Sequence, residues 1–176
     1  LPKYEVCFWT QPVGIEGWDY DLTLAVTAQG LCRLGLGQAL EEEEALAVWA
    51  RRWFPDYRLN RARQANLGFI KELEEYLAGK RQIFTLPLHL KGTSFQIRVW
   101  EELCRIPYGQ TRSYAFIAKQ IGCPQGCRAV GSANNSNPVP LIIPCHRVIG
   151  QNGSLTGYRS GLDLKLKLLQ LEGEKI

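Results

Sequence analysis

The sequence predicts an α+β protein: a small N-terminal αβ domain built on a β-sheet, then a largely helical, winged-helix-like domain holding a helix-turn-helix. Three observations carry this reading. The first 36 residues hold three β-like segments separated by Gly and Pro signals. Two amphipathic helices with clear stop signals follow them. From Gly92 onward the chain breaks into short, well-punctuated helices. A length of 176 residues suffices for one larger domain or two small ones. The segment 80–91 has few helix or strand signals beyond Phe84-Thr85-Leu86 and contains Pro87. It is taken as the linker, which gives domains 1–90 and 91–176.

Tyr4 to Thr10, Tyr20 to Thr27 and Leu31 to Leu36 are the expected strands, separated by Pro12-Val13-Gly14 and Gln29-Gly30. Glu41 to Phe54 is a helix: Glu41 to Glu44 suit the positive end of its dipole, Arg51-Arg52 suit the other end, and Pro55 stops it. A second helix starts with Asn60 as its cap and runs to Ala78, with Gly79 as the stop. Its Leu67, Ile70, Leu73, Tyr76 and Leu77 form a core-facing stripe. Cys7, Cys32 and His89 offer three zinc ligands in this half but no ligand spacing, so no metal is expected.

In the second half, Thr93-Ser94-Phe95-Gln96 is a capping box opening a helix through about Arg105. Pro107-Tyr108-Gly109-Gln110 is a turn. Ser113 caps a short helix from Tyr114 to Ile121, ended by Gly122. Cys123-Pro124 opens the next, with Pro at the first helical position, running to about Ala133. These two helices and their tight turn are the helix-turn-helix candidate. The second is built from small residues with one Arg, Arg128, which suits close docking on DNA better than reading a defined base sequence. Gly150-Gln151-Asn152-Gly153 is a hairpin turn. Within Leu162 to Leu171, residues 162–168 alternate like a strand. A Ser160/Asp163 capping box, the Leu162, Leu166, Leu169 spacing and the Gly173 stop favour a helix.

No apolar run reaches 18 residues and no signal-peptide pattern occurs, so a soluble, cytoplasmic protein without a membrane partner is expected. The absence of any Met, an initiator included, suggests a trimmed or processed chain. The six cysteines (7, 32, 104, 123, 127 and 145) have no paired layout and are read as free thiols. Charge is uneven. Residues 1–90 carry 10 Lys and Arg against 12 Asp and Glu, whereas residues 91–176 carry 11 against 5. A basic second half points to a polyanion partner.

The chemistry centres on Asn137 to Val148. An apolar run, Leu141 to Ile143, bounded by prolines and read as a buried extended segment, ends at Pro144-Cys145-His146-Arg147-Val148. A thiol is nucleophilic as thiolate, and a neighbouring imidazole can hold it so. For the dipeptide alone, a buried inert Cys beside a surface His is the commoner case.

The surrounding motifs change that balance. Gly92-Thr93-Ser94-Phe95-Gln96, Val99-Trp100, Ile106-Pro107-Tyr108-Gly109, Ser113-Tyr114, Arg128-Ala129-Val130-Gly131, Asn137-Pro138-Val139-Pro140, Pro144 to Val148, Gly157-Tyr158 and Leu168-Leu169 through Glu172-Gly173 together resemble the catalytic domain of the O6-alkylguanine-DNA alkyltransferases. The resemblance covers nearly all of residues 92–173, and far less of residues 1–90.

It implies DNA repair by stoichiometric, single-turnover transfer of an alkyl group from guanine O6, and possible action on thymine O4, to Cys145. No cofactor is needed, the protein acts as a monomer, and the partner is double-stranded DNA carrying O6-alkylguanine. His146 and Glu172 resemble the base and its orienting acid. Tyr114 matches the phenol that donates to the departing guanine, and Asn137 the residue that ties the active-site turn to the helix-turn-helix. Because adjacent side chains of an extended segment diverge, the proton is expected to pass from Cys145 to His146 through a water. Pro140, Val148, Tyr158, Arg159 and Ser160 match the guanine pocket, with the backbone of Cys145 and Val148 facing the exocyclic amine. Arg128 resembles the finger that fills the stack when the base is flipped. Gln96, Ala115, Cys123, Ala129 and Gln151 match DNA-contacting positions, with backbone amides near Ala115 and Cys123 as phosphate sites.

Three positions depart from the family pattern: Cys127 is a second thiol beside Arg128, Asn134 stands where an apolar residue is usual, and Arg159 adds a positive charge to the pocket loop. The 176 residues hold no adaptive-response zinc domain, so phosphotriester repair is not expected. Three other readings compete. An alkyltransferase-like lesion-binding module lacks the reactive Cys, a Cys-His hydrolase has no use for Arg128, and a DNA-binding regulator would keep Cys145 as structure.

Overall fold

The computed structural model describes residues 3–174, which fall into two compact units parting between Lys91 and Gly92. In the first unit, β1 (Tyr4–Pro12), β2 (Asp21–Thr27) and β3 (Gly30–Gly37) form an antiparallel meander. The next elements are α1 (Ala39–Trp53), β4 (Tyr57–Arg61) and α2 (Arg63–Leu77). Strand β4 pairs parallel to β1, so the sheet order is β3-β2-β1-β4. Both helices pack on β2, and residues 22–26 are buried on both faces. One core cluster holds Val6, Ala25, Cys32, Leu46 and Phe54, flanked by Tyr4, Trp49 and Tyr57.

The predicted strands and the first helix are present. Asn60, however, is not a helix cap. It lies in β4, a strand the sequence reading missed, and its amide donates to Glu5. Helix α2 therefore begins at Arg63, and its end matches expectation: Gly79 has φ 71° and Lys80 N donates to the Glu75 carbonyl. Residues 87–89 run along β3 through Leu31 N to Pro87 O and His89 N to Leu31 O. Two of the three zinc candidates have other partners: the Cys32 thiol donates to the Ala25 carbonyl and His89 Nδ1 bonds the Thr27 hydroxyl. No group of three metal-ligating side chains gathers among the described residues. None of their helices is long and apolar enough to cross a membrane.

The second unit comprises α3 (Ser94–Leu103), β5 (Arg112–Ser113), α4 (Tyr114–Gln120), α5 (Cys127–Asn135), a 3-10 turn (Cys145–Arg147), β6 (Val148–Ile149) and α6 (Leu162–Leu171). The Thr93/Gln96 capping box is formed on both sides, and the Ser113 hydroxyl accepts from Phe116 N. Trp100, almost fully buried, ties α3 to α5 by donating Nε1 to the Ala133 carbonyl at 2.8 Å.

Three expectations are corrected. Residues 123–126 form a turn rather than the first turn of a helix, so α5 begins at Cys127 with no side-chain cap. Helix α6 has the predicted bounds, but its N-cap is Gly161 at φ 94°, and the Ser160/Asp163 capping box does not form. Its buried face is Leu164, Lys165, Leu168 and Leu169, with Leu162 exposed. The turn at 150–153 closes through Gly150 N to Ser154 O, yet no second strand follows it. β6 instead pairs parallel with β5, Arg112 opposite Val148 and Ser113 opposite Ile149.

Candidate active site

The site is assembled from three segments of the second unit. The loop after α5 is clamped by Asn137. Its Oδ1 accepts from Val139 N at 2.9 Å and its Nδ2 donates to the Ile143 carbonyl at 2.8 Å. Within that clamp Leu141 has φ 71°, a conformation costing a branched residue about 1–3 kcal/mol unless its surroundings impose it. The run from Leu141 to Ile143 is therefore a tight turn with a Pro140–Ile143 bridge, not the predicted extended segment.

That turn delivers Cys145 to the first position of the 3-10 turn, 4% exposed. Successive side chains on a 3-10 turn diverge by about 120°. Cys145 and His146 thus still point apart, for a different reason than the one expected. Burial pushes the Cys145 thiol above its ordinary value, opposed by hydrogen bonds from Asn137 and Tyr158 and by the charge of Lys165. The Cys145 carbonyl accepts from Asn134 Nδ2 at 3.3 Å. Asn134, expected as an oddity in the packing, is thus a buried brace of the nucleophile's backbone.

The end of α6 supplies the second part. Glu172 is its C-cap, and its carboxylate takes four donors: His146 Nε2 at 2.8 Å and an Arg147 NH2 at 2.9 Å on Oε1, Arg147 Nε at 2.8 Å and Gly109 N at 3.2 Å on Oε2. Gly109 can approach this closely because it has φ 72° and no Cβ; an added Cβ would sit 2.8 Å from the Glu172 carbonyl oxygen. Arg147 also donates to the Ile106 carbonyl and lies over the Tyr108 ring. His146 is fully buried, and burial lowers its pKa against the pull of the Glu172 carboxylate. An ionised carboxylate only accepts, so Nε2 carries the proton and Nδ1 is the basic nitrogen.

The third part is the wall around the sulfur. The β5–β6 pair sets the first residue of α4, Tyr114, beside the strand that leaves Cys145. The Tyr114 hydroxyl donates to the Thr156 and Gly157 carbonyls at 3.1 and 3.3 Å, and burial raises its pKa, so it is a neutral donor. Lys165 reaches from α6 to the carbonyls of Val148 at 2.5 Å and Thr156 at 2.8 Å, between the rings of Tyr114 and Tyr158. Desolvation lowers its pKa to about 8.

The structure therefore brings Cys145, His146, Glu172, Asn137, Tyr114, Val148 and Tyr158 into one constellation. Pro140 and Ser160 are half-buried, while Arg159 is exposed on the loop before α6. Of the two carbonyls expected to face an exocyclic amine, that of Cys145 already accepts from both Asn134 Nδ2 and Val148 N, which takes up both its lone pairs, and that of Val148 accepts from Lys165. Arg128 and Ala129 are exposed on the first turn of α5, and Gln151 is exposed on the 150–153 turn. Gln96 spends its side chain on the capping box and Ser136, and Ala115 is half-buried in the first turn of α4. The expected phosphate site at the Cys123 amide is not available, since Cys123 N donates to the Ala118 carbonyl at 2.8 Å and no helix starts there.

Sequence reasoning assigned no role to Arg147, a member of the quoted motif, or to Lys165, and marked Asn134 only as a departure from the family pattern. Lys165 left a periodic trace, falling on the same helical face as Leu164 and Leu168; nothing in the neighbouring residues tells what Arg147 or Asn134 bonds.

Both halves of the chain resemble known proteins. Residues 94–174 match the family profile "6-O-methylguanine DNA methyltransferase, DNA binding domain", and residues 20–90 match "6-O-methylguanine DNA methyltransferase, ribonuclease-like domain". The inducible methylated-DNA–protein-cysteine methyltransferase of Bacillus subtilis is 47% identical over 88% of this chain and 85% of its own length. The enzyme of that name from Methanosarcina acetivorans is 58% identical over 58% of this chain and 66% of its own length. Among solved structures, Mycobacterium tuberculosis OGT in complex with DNA superposes with a TM-score of 0.73 at 40% identity, covering 96% of this chain and 92% of that one.

Proposed function

This chain belongs to the methylated-DNA–protein-cysteine methyltransferase family and repairs DNA by direct alkyl transfer; from that premise we propose that Cys145 is the acceptor and O6-alkylguanine in duplex DNA the donor. The observation that carries the assignment is the buried Cys145–His146–Glu172 constellation, with its basic nitrogen directed by the carboxylate. The Cys145 proton passes through a water to His146 Nδ1, and Glu172 stabilises the imidazolium that forms. The sulfur then attacks the alkyl carbon in line, the S–C bond forms, and the C–O6 bond breaks with its electron pair going to the guanine. The Tyr114 hydroxyl, whose single proton is shared between the Thr156 and Gly157 carbonyls here, turns from them to donate to the departing base as negative charge develops on it. The thioether product has no leaving group, so each chain reacts once. Mixing the protein with an oligonucleotide carrying O6-methylguanine should add one methyl, about 14 Da, per chain and no more. Turnover of substrate beyond one equivalent would refute the scheme.

A stacked guanine cannot reach Cys145, so the base is flipped and Arg128 fills the gap, with Ala129 and Gly131 letting α5 lie close to the groove. Gln96, Ala115 and Gln151 border that interface. Pro140, Tyr158, Arg159 and Ser160 wall the pocket. One copy holds the whole constellation, which suits action as a monomer, with residues 91–176 as the catalytic domain. Six free thiols suit a reducing compartment, the cytoplasm. Arg128→Ala should lower the transfer rate on duplex DNA by about 10–100-fold, the cost of holding a base out of the stack, with little change on the free alkylated base. Equal losses on both substrates would remove the finger role.

The pH profile follows from the directions of the shifts. His146 is held below its ordinary range and Cys145 above, so between them the reacting pair is thiol plus neutral imidazole, and the rate stays level through neutral pH. On the acid side it falls as His146 gains a proton, at a pH below the usual value of about 6.5. Above about 8 it falls again as Lys165 loses the charge that favours the thiolate. Single-turnover rates across this range test it. A steady tenfold rise per pH unit through neutrality would instead mark a pre-ionised thiolate as the reactant.

A further inference from the structure

The mild acidity of residues 1–90 conceals a separation of charge. Residues 51–63 hold five Arg and one Asp, a net of +4, while the rest of that stretch has a net of −6. In space these thirteen residues are the last turn of α1, the connection, β4 and the first residue of α2. β4 is the outer strand of its sheet. Arg51, Arg52, Arg58, Arg61 and Arg63 are all exposed, and among the described residues only Arg61 has a carboxylate partner, Glu43. Aromatic rings are interleaved with them: Arg52 lies 5.1 Å from the Trp53 centroid, and Arg61 lies 5.3 Å from Phe8 and 5.6 Å from Trp9.

Protection of a sheet edge is the ordinary reason for charge on an outer strand. It accounts for Arg58 and Arg61 but not for the others. Arg51 and Arg52 sit on the last turn of α1, where the dipole favours cations, so the dipole accounts for their presence but leaves both without a carboxylate partner among the described residues. Arg63 is the first residue of the 15-residue α2, whose first turn has no acid at all. A cation there is opposed by the helix dipole, and the pairing of an unpartnered guanidinium with free helix N–H groups suits an anion. At about 3.3 Å per strand residue, Arg58 and Arg61 stand roughly 10 Å apart along β4, and Arg63 follows at the start of α2, enough to meet more than one backbone phosphate.

We propose that this stripe is a second DNA-binding surface, formed by the first unit alone, which grips the phosphodiester backbone without regard to sequence. It rests on DNA being the polymer this protein works on. It gives the N-terminal unit a role in holding the protein on undamaged duplex during search, while the chemistry stays in the second unit. Guanidinium groups bind phosphate in bidentate fashion, and neighbouring aromatics keep them extended.

The test uses the full chain with Arg51, Arg52, Arg58 and Arg63 all changed to Ala, and measures affinity for an undamaged duplex at several salt concentrations. Affinity near 0.1 M salt should fall by about tenfold or more, and the slope of log affinity against log salt should flatten by roughly 0.9 for each phosphate no longer neutralised. Transfer from the free alkylated base, read in the same samples, should stay within about twofold, because no pocket residue is changed. Unchanged affinity and slope would overturn the proposal. So would a loss of self-association in sedimentation with DNA binding intact, which would assign the stripe to a second copy. If the fourfold variant does not fold, the pairs Arg51→Ala/Arg52→Ala and Arg58→Ala/Arg63→Ala decide, each expected to remove about half the change in slope. A wild-type chain that binds duplex but accepts no alkyl group would count against the assignment of Cys145 and leave this surface standing.

Discussion

Cys145→Ala should abolish the mass gain on O6-methylguanine DNA completely while the chain stays folded and bound to duplex. The substitution removes one buried sulfur and leaves the Asn137 clamp, the Asn134 brace on the Cys145 carbonyl and the Glu172 network in place. Its expected cost in stability is small, about 1–2 kcal/mol for one heavy atom removed from a packed site. The loss of chemistry has no such bound. Five other thiols remain in the chain, and none adjoins the His146–Glu172 pair in sequence. Residual methylation of Cys145→Ala, located by peptide mass spectrometry, would therefore move the acceptor elsewhere and sink the proposed mechanism. Cys145→Ser should be as inactive. A hydroxyl is far less acidic than a thiol, and a neutral imidazole cannot ionise it appreciably.

Glu172 is the second large effect, and two substitutions separate its two jobs. Glu172→Gln keeps the shape but presents an amide where one side of the carboxylate accepted from Arg147 or His146. If the amide NH2 faces His146, Nε2 must become the acceptor and the proton moves to Nδ1, which removes the base. The expected rate loss is about 10²–10⁴-fold, the range seen when a general base is lost or held in the wrong tautomer. Glu172→Ala does more. It strands the guanidinium of Arg147, 7% exposed, together with a fully buried imidazole. Removing one partner of a buried ion pair costs about 3–5 kcal/mol, so this variant should melt well below wild type. Denaturant unfolding and single-turnover rates on both variants check it. A Glu172→Gln chain with wild-type rates through neutral pH would take Glu172 out of the proton relay and leave it a purely structural anchor.

The errors in reading the sequence have a common physical origin. Strands β1 to β3 and the Thr93/Gln96 capping box were legible because turn punctuation and cap chemistry involve neighbours along the chain. β4 was missed because its partner β1 lies some fifty residues away, and parallel pairing leaves no turn signal between the two. The same holds for β5 and β6, two residues each, which set Tyr114 beside the active-site strand. The start of α5 was misplaced because Pro124 is equally at home in the turn that Gly126 N closes on the Cys123 carbonyl.

At the site, the nucleophile and its neighbouring imidazole could be named from Pro144-Cys145-His146 and the motifs around it, and resemblance supplied Glu172 and Asn137. Periodicity, caps and motif chemistry settled that this chain is a sheet unit followed by short capped helices, built around one cysteine beside one histidine. Folding settled which charges are buried: that Arg147 shares Glu172 with His146, that Lys165 braces Val148 and Thr156, and that Asn134 holds the Cys145 carbonyl. A charged or polar side chain is tolerated inside only where donors and acceptors from distant segments meet it, and those meetings exist only once the chain has closed on itself.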